Sequence, residues 1–199
     1  MYKSCKTEKS AQRQREIEDG FLRLLSQKHF EQTTVSEICL FLDIPRKAFY
    51  RYFDSKEGVL KASIDHILIS YENYSAASPN SKNRTITSEL SKYFEFWKLP
   101  QQLLLLSALK KSKLFGHLIQ RSIEYSSGKI AGLTKFLKDE DEWVQKQIFQ
   151  FAVTGLMTMM LDWYNSGFKK SSFEMAQAAR RMVASPLFPN LELWGILNE

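Results

Sequence analysis

Four side chains that can contact nucleic acid lie within one short stretch of the sequence: Arg46, Lys47, Tyr50 and Arg51. The spacings 46/50 and 47/51 are both i,i+4, so on a helix all four fall within one arc. Arginine can pair with a guanine edge, lysine and tyrosine can reach phosphate, and a helix fits the major groove of DNA. The pattern therefore predicts a DNA-contacting helix. Charge alone leaves an ordinary solvated basic helix as the alternative.

Signals for two short helices surround these residues. Thr34 and Glu37 have the spacing of a capping box, in which hydroxyl and carboxylate satisfy backbone N–H groups at a helix start. The helix that follows has one apolar face, made of Val35, Ile38, Cys39 and Leu42. Pro45 opens the second helix, because its preset φ suits a helix start. A helix this short is not stable alone, so we expect Phe49 and Phe53 to hold it on a core.

The whole segment TTVSEICLFLDIPRKAFYRYFDSKEGVL closely resembles the N-terminal domain of TetR-family transcriptional regulators. The shared pattern is a Thr-capped helix, a small apolar corner, an aromatic recognition helix, and a Lys-Glu pair that opens the next helix. The resemblance covers roughly residues 10–65 and continues faintly towards the C-terminus. It implies an all-α fold of about nine helices, with a three-helix, helix-turn-helix DNA-binding domain at residues 1–66. Residues 67–199 would then form a helical ligand-binding and dimerisation domain.

The resemblance also implies which residues contact DNA: Thr34, Ser36, Pro45, Arg46, Lys47, Ala48, Tyr50, Arg51, Tyr52 and Lys56. Lys56 stands where the family grips a backbone phosphate, at a helix start that favours anions. Pro45 and Ala48 depart from the pattern, because family members often place Ser and Thr there. That departure keeps a second hypothesis open, namely a TetR-like interaction module or hydrophobe-binding protein that does not bind an operator.

The flanks of this segment are predicted from local signals. Residues 1–9 are polar and contain Lys3, Lys6 and Lys9, which indicates either a frayed end or an arm that meets phosphates or a minor groove. A first helix should run from about residue 9 to 28 on an apolar stripe of Ile17, Phe21, Leu24 and Leu25. TetR-like sequences usually end it with glycine. Here His29 stands in that place, and we expect it to adopt the left-handed conformation.

Beyond residue 67 the sequence predicts a helical, strongly aromatic region. Residues 75–87 read as a loop, and helices are predicted over about 86–99, around Leu103–Leu106, over about 115–137, and over 148–164. The aromatic and leucine content of residues 90–164 suggests a pocket for a small apolar or aromatic effector, although any one of these residues could simply be core. The tail after Ser185 contains Pro186 and Pro189 and is predicted to be a turn or short helix.

Residues 148–164 carry only one narrow polar stripe, at Gln150, Thr154, Thr158 and Asp162. A helix this apolar must be covered on two sides. The run is shorter than the ~20 residues of a membrane span and carries an aspartate, so a core face plus a subunit interface is the better interpretation. Gly167 ends this helix, and a capping box at Ser171 and Glu174 opens the last one.

The resemblance implies that the last two helices form the four-helix bundle of a homodimer. The predicted interface residues are Phe151, Gly155, Met159, Trp163, Phe173, Ala176, Ala179 and Val183.

Net charge does not identify a binding partner, and the absence of known catalytic motifs argues against an enzyme. The 199 residues carry a net charge of +6, which permits nucleic-acid binding without locating it. His29, His66 and His117 are scattered, and there is no HExxH, GxGxxG or GxxxxGK[ST] motif. We therefore expect no catalytic residue, no metal site and no cofactor. Two cysteines without a disulfide pattern, and an N-terminus without an apolar run, favour the cytoplasm.

Overall fold

The computed structural model describes residues 2, 3, 5, 7–77, 85–127 and 141–183. Within these ranges the chain forms nine α-helices and one 3-10 turn, Phe30–Gln32, and the one β-type pairing is a bridge between Tyr2 and Phe53. The helices are α1 Glu8–Gln27, α2 Val35–Phe41, α3 Arg46–Phe49, α4 Lys56–Ala76, α5 Ile86–Lys98, α6 Pro100–Ser112, α7 Phe115–Ser127, α8 Glu142–Asn165 and α9 Ser172–Val183. The all-α prediction is confirmed. The second half of the helix predicted over 115–137 and the tail after Ser185 lie outside the described residues.

The chain divides into two compact units. The first unit comprises residues 1–70 and 100–121, and the second comprises residues 71–99 and 122–199. The sequence predicted two functional domains that meet at residue 66. The first compact unit differs from the predicted first domain, because it also contains α6 and the start of α7. That division by function stays a prediction. In the described ranges no helix is both long enough and apolar enough to cross a bilayer.

The core of the first unit is built on α1. Its buried stripe packs against α6. The buried apolar residues of the two helices are Ile17, Phe21, Leu22, Leu25, Leu105, Leu106, Ala108 and Leu109. The expectation for His29 is wrong. Lys28 ends α1 in an extended conformation, and His29 follows at φ −69° rather than in the left-handed region. The extended exit delivers Phe30 to the core, where its ring lies 6.3 Å from that of Phe21.

Two buried carboxylates of the first unit have cationic partners. Asp65 accepts hydrogen bonds from Nε and Nη2 of Arg121, and Glu18 lies 2.7 Å from Nδ1 of His66. Burial raises the pKa of Glu18, while the hydrogen bond to Glu18 raises the pKa of His66. The charge of Arg15 lowers the pKa of His66, and the charge of Asp65 raises it. The charged imidazolium is thus favoured in the folded protein.

This pair predicts a pH-dependent stability. The pKa of His66 is raised above its unfolded value of 6.5, so its stabilisation is fully present below pH 6.5 and is lost as the pH rises through the raised pKa. The difference in free energy of unfolding between the wild type and His66→Gln should therefore shrink from pH 6 to pH 8.5 in chemical-denaturation curves. His117→Gln, at an exposed histidine, is the control. A difference that does not change with pH would contradict this assignment.

The second unit packs α5 against α9, with α8 touching both. Trp163 of α8 lies at its centre: its ring is 5.6 Å from that of Phe94 and 4.7 Å from that of Phe168, and its indole N–H donates to the carbonyl of Lys170. Gly167 ends the helix at φ +74°, as predicted. The capping box is also confirmed, since Ser171 and Glu174 exchange hydrogen bonds.

The predicted interface residues divide between the core and the surface of this unit. Ala176 is 0% exposed, and Trp163 and Ala179 are also buried within one chain, so these three residues are covered by α5 and its neighbours and not left for a partner. The apolar stripe of α9 was identified correctly, but its small residues serve packing inside the chain. Met159 is half-buried, Phe151, Gly155 and Phe173 are exposed, and the side chain of Val183 lies outside the description.

A charge introduced into the core side of α9 should therefore unfold the second unit. Ala176→Asp buries an unpaired carboxylate and should lower the free energy of unfolding by about 3 kcal/mol or more. Ala178→Asp, two residues along on the exposed side, should change it by less than about 0.5 kcal/mol. Thermal and urea unfolding followed by circular dichroism would measure both. Equal stability of the two variants would show that the core assignment of Ala176 is wrong.

Candidate nucleic-acid interface

The start of α2 is fixed by the predicted capping box. The amide of Glu37 donates to Oγ1 of Thr34 at 3.2 Å, and the amide of Thr34 donates to the Glu37 carboxylate at 2.9 Å. Lys28 pairs with the same carboxylate, and these bonds, Lys28 first, lower the pKa of Glu37 to about 2. The cap therefore stays anionic, and Lys28 offsets its charge. Ser36 is exposed on the first turn.

The corner between α2 and α3 depends on one left-handed residue. Asp43 has φ +49°, which aspartate tolerates better than most residues. This conformation lets the amide of Ile44 donate to the carbonyl of Cys39 at 3.0 Å and turns the buried Ile44 side chain inward. The bond closes the end of α2 in the manner of a Schellman motif. The chain then leaves in an extended conformation through Pro45, which opens α3 as predicted.

Helix α3 is one turn long, Arg46–Phe49, and the chain continues as turns through Tyr52. Phe49 and Phe53 are each 0% exposed, and their rings lie 5.7 Å apart. The ring of Tyr50 meets that of Phe49 edge-on at 5.5 Å. The short helix is thus held from beneath, which leaves its opposite side to solvent.

The exposed side of α3 brings the predicted residues together. Arg46 Nη2 lies 3.4 Å from the Tyr50 hydroxyl, and the guanidinium carbon is 6.0 Å from the centre of the tyrosine ring. Pro45, Lys47 and Arg51 are exposed beside them. Ala48 and Tyr52 are half-buried, between this surface and the core. The arc contains guanidinium, ammonium and phenol groups, the donors that suit base edges and phosphates.

Lys56 has a partner inside the protein. Its ammonium donates to the carbonyl of Phe30 at 2.8 Å and lies 4.4 Å from the centre of the Phe30 ring. A longer contact of 3.5 Å reaches the carbonyl of Glu31. The side chain thus joins the start of α4 to the 3-10 turn, a role that the sequence did not indicate. An ammonium has three donors, so a phosphate contact is compatible with this bond.

A groove of about 620 Å³ lies directly beside α3, between it and the first turns of α1. The residues that line it are Thr7, Lys9, Ser10, Gln12, Arg13, Glu16, Ala48, Arg51 and Tyr52. Three cations border it, and one of them, Arg13, pairs with Glu16 at 2.6 Å. Sequence reasoning overlooked Arg13, although its i,i+4 spacing from Lys9 would have identified a basic stripe on α1.

Residues 19–63 match the family described as bacterial regulatory proteins, tetR family. The match contains the capped α2, the Asp43 corner, α3 and the start of α4. This segment of the chain is therefore a tetR-family domain. The recognition made from the sequence is therefore confirmed, as are the helix-turn-helix and the all-α class.

Solved structures show a similar fold over nearly the whole length of this chain. An inferred transcriptional regulator of Pseudomonas aeruginosa PAO1 is 12% identical, with a TM-score of 0.60 over 95% of this chain and 96% of its own. The fatty acid degradation regulator FadR of Bacillus halodurans is 16% identical, with a TM-score of 0.56 over 92% and 98%. A tetR-family transcriptional regulator of Streptomyces coelicolor is 14% identical, with a TM-score of 0.53 over 94% and 86%. No curated protein sequence matches the chain.

Proposed function

We propose that this TetR-family protein is a repressor that binds a pseudo-palindromic DNA operator as a homodimer and is released by a small effector. The observation that carries the proposal is the exposed arc of Arg46, Lys47, Tyr50 and Arg51 above the buried Phe49. A helix presented in this way can enter the major groove, where Arg46 would read a guanine edge and Lys47 would neutralise a phosphate. The 3.4 Å contact with Tyr50 supports this role for Arg46, since it pre-orients the guanidinium.

The groove beside α3 extends the proposed surface. Lys9 and Arg13 on α1 and Arg51 after α3 border one channel, so a DNA strand whose bases face α3 would carry its phosphates past them. Such contacts set register and affinity but not sequence preference. Arg46 is accordingly the proposed specificity residue, and these cations are the proposed phosphate contacts.

Two substitutions separate these roles. Arg46→Ala should relax the base preference at one position and weaken operator binding by ~1–3 kcal/mol. Lys47→Ala should weaken binding to all sequences and reduce the slope of log affinity against log salt by about 0.9. Fluorescence anisotropy at several salt concentrations would measure both effects. Lys56 is a poorer probe, because its loss also removes the bond to Phe30.

The control for this experiment is Lys111→Ala, at an exposed lysine on α6, which should leave affinity and salt slope unchanged. If Arg46→Ala and Lys47→Ala also leave both quantities unchanged, the surface does not bind DNA. The TetR-like interaction module without operator binding would then be the better hypothesis.

The dimer proposal now rests on the exposed side of α8 and α9. Phe151 is 62% and Phe173 55% exposed, and Gly155 lies one turn after Phe151. A mid-helix glycine costs about 1 kcal/mol relative to alanine, yet a Cβ at Gly155 would have no described atom within 4 Å. Nothing described in its own chain uses the space. The close approach of a partner helix is a physical reason for the glycine.

Gly155→Leu tests this arrangement sharply. Inside one chain the added Cβ meets no described atom within 4 Å, and leucine has a higher helix propensity than glycine. The free energy of unfolding of the second unit should therefore stay the same or rise. In a dimer it should separate the paired helices, and sedimentation velocity at micromolar concentration should show monomers. Gly116→Leu, at another open glycine on α7, is the control and should remain dimeric. A dimeric Gly155→Leu protein, or a monomeric wild type, would contradict the proposal.

The effector proposal rests on two buried donors in α5. The hydroxyl of Tyr93 and the indole N–H of Trp97 are buried, and their one polar contact among the described residues is a weak one with each other. Burial raises the pKa of Tyr93. The rings of Tyr71 and Phe96 lie 5.1 Å apart in the same aromatic cluster. Each unsatisfied donor costs about 1–3 kcal/mol. An aromatic or apolar effector with one oxygen acceptor would relieve that penalty.

Coupling between effector and operator must be reciprocal. Mass spectrometry of molecules that copurify with the protein would identify a candidate, and calorimetry would measure its affinity with and without saturating operator. A coupling of ~1–3 kcal/mol weakens each ligand about 5- to 150-fold in the presence of the other. Tyr93→Phe, which removes only the hydroxyl and keeps the ring, should weaken the effector and not the operator. Equal effector affinities with and without DNA would mean that the molecule is a passenger.

A further inference from the structure

Tyr2 and Lys3 are docked beside α3, the proposed recognition helix. Tyr2 forms an antiparallel bridge with Phe53, and the amide of Lys3 donates to the carbonyl of Tyr52 at 2.9 Å. Both partners belong to the turn that follows α3. Of the two alternatives that the sequence left open, a frayed end does not describe Tyr2 and Lys3.

The side chain of Lys3 reaches back to the end of α3. Its ammonium donates to the carbonyl of Tyr50 at 2.7 Å and lies 3.7 Å from the carboxylate of Asp54. Tyr50 is the C-cap of α3. The last carbonyls of a helix have no intrahelical donor, and a cation is favoured at that end. The ammonium of Lys3 therefore caps the C-terminal end of α3 by donating a hydrogen bond to the carbonyl of Tyr50.

The side chain of Tyr2 anchors this segment to the core. Its hydroxyl donates to Oδ2 of Asp65 at 2.8 Å, on a carboxylate that is itself buried and held by Arg121. Burial, and then the bond to Asp65, raise the pKa of Tyr2 to about 12, so the phenol remains a neutral donor. Its ring lies 6.3 Å from that of His66. The anchor thus consists of one half-buried hydrogen bond plus ring packing against α4.

We propose that Tyr2 and Lys3 are positioning residues for operator recognition: they tie the end of the recognition helix to the buried Asp65. The proposal rests on the DNA-binding function proposed above. A helix of four residues makes few hydrogen bonds of its own, so contacts at its end decide how much of its orientation is fixed before DNA arrives. Fixing it in advance lowers the ordering cost of specific binding. The two residues then act without touching DNA.

This role differs measurably from that of an arm that contacts phosphate. A positioning residue changes the affinity for the operator but leaves the number of neutralised phosphates unchanged, so the salt slope stays constant. If Lys3 instead neutralised a phosphate, its replacement would reduce the slope by about 0.9 for every DNA sequence. Affinity for non-specific DNA distinguishes the two roles further, because it depends on charge and hardly on the orientation of α3.

The test uses the full-length protein with Tyr2→Phe, Lys3→Met and the control Lys111→Met on α6. Tyr2→Phe removes one hydroxyl and keeps the ring and the backbone bridge. We expect each of the first two variants to bind the operator about 3- to 10-fold more weakly, the range for the loss of one hydrogen bond. Their affinity for non-specific DNA and their salt slopes should equal those of the wild type. In the DNA-free protein, the amides of residues 49–53 should exchange hydrogen faster than in Lys111→Met.

Three results would overturn the proposal: unchanged operator affinity in both variants, a reduced salt slope in Lys3→Met, or equal losses on operator and non-specific DNA. The last result would indicate a general loss of folded protein, which a thermal melt would also register. If the wild type itself binds no operator, the proposed function fails, and amide exchange still decides whether these residues hold α3. Unchanged exchange at residues 49–53 would exclude the anchor.

Discussion

Phe49 and Phe53 lie fully buried, 5.7 Å apart, beneath a helix of only four residues. Such a helix would not persist in water, because nucleation fixes more dihedral angles than its few hydrogen bonds can offset. Burying each phenylalanine contributes about 1.5–3 kcal/mol, and this anchoring, not intrinsic helix stability, holds α3 in place. Except for Tyr50, whose ring packs on Phe49, the residues of the exposed arc are therefore separate from those that fold the helix. Arg46, Lys47 and Arg51 can be selected for what they bind, since none of them is needed to hold the core.

The same anchoring extends into the polar interior of the first unit. Asp65 joins α4 to Arg121 of α7 and to Tyr2, while Glu18 of α1 meets His66 of α4. Buried charges of this kind contribute little net stability, but an unpaired one is strongly destabilising. Their effect is to allow few alternative arrangements of α1, α4 and the N-terminal residues. That restriction matters for a protein whose proposed activity depends on the placement of one helical turn.

The second unit obeys a different constraint, because its helices are apolar on more than one side. Helix α8 buries Met157, Met160 and Trp163 within the chain, yet it also exposes Phe151 and the open Gly155. Ala176 and Ala179 let α9 approach α5 closely, which is a core function. Stability of the unit and association of two chains therefore depend on different faces of the same two helices. A substitution on α9 acts on one or the other according to the side it occupies.

The sequence by itself determined the local features: the capping boxes at Thr34 and Ser171, the helix-turn-helix, the corner after α2, and the glycine stop at Gly167. These features depend on contacts between residues that are close in the sequence, so they can be predicted directly from the sequence. Only the tertiary structure decided that α6 packs on α1, that Ala176 and Ala179 face their own chain, that Lys56 points to Phe30, and that Tyr2 docks on Asp65. An apolar stripe shows that one face of a helix is buried. It does not show which helix covers that face, because the hydrophobic effect is non-directional. A long polar side chain likewise takes its partner from whatever the folded chain brings within reach.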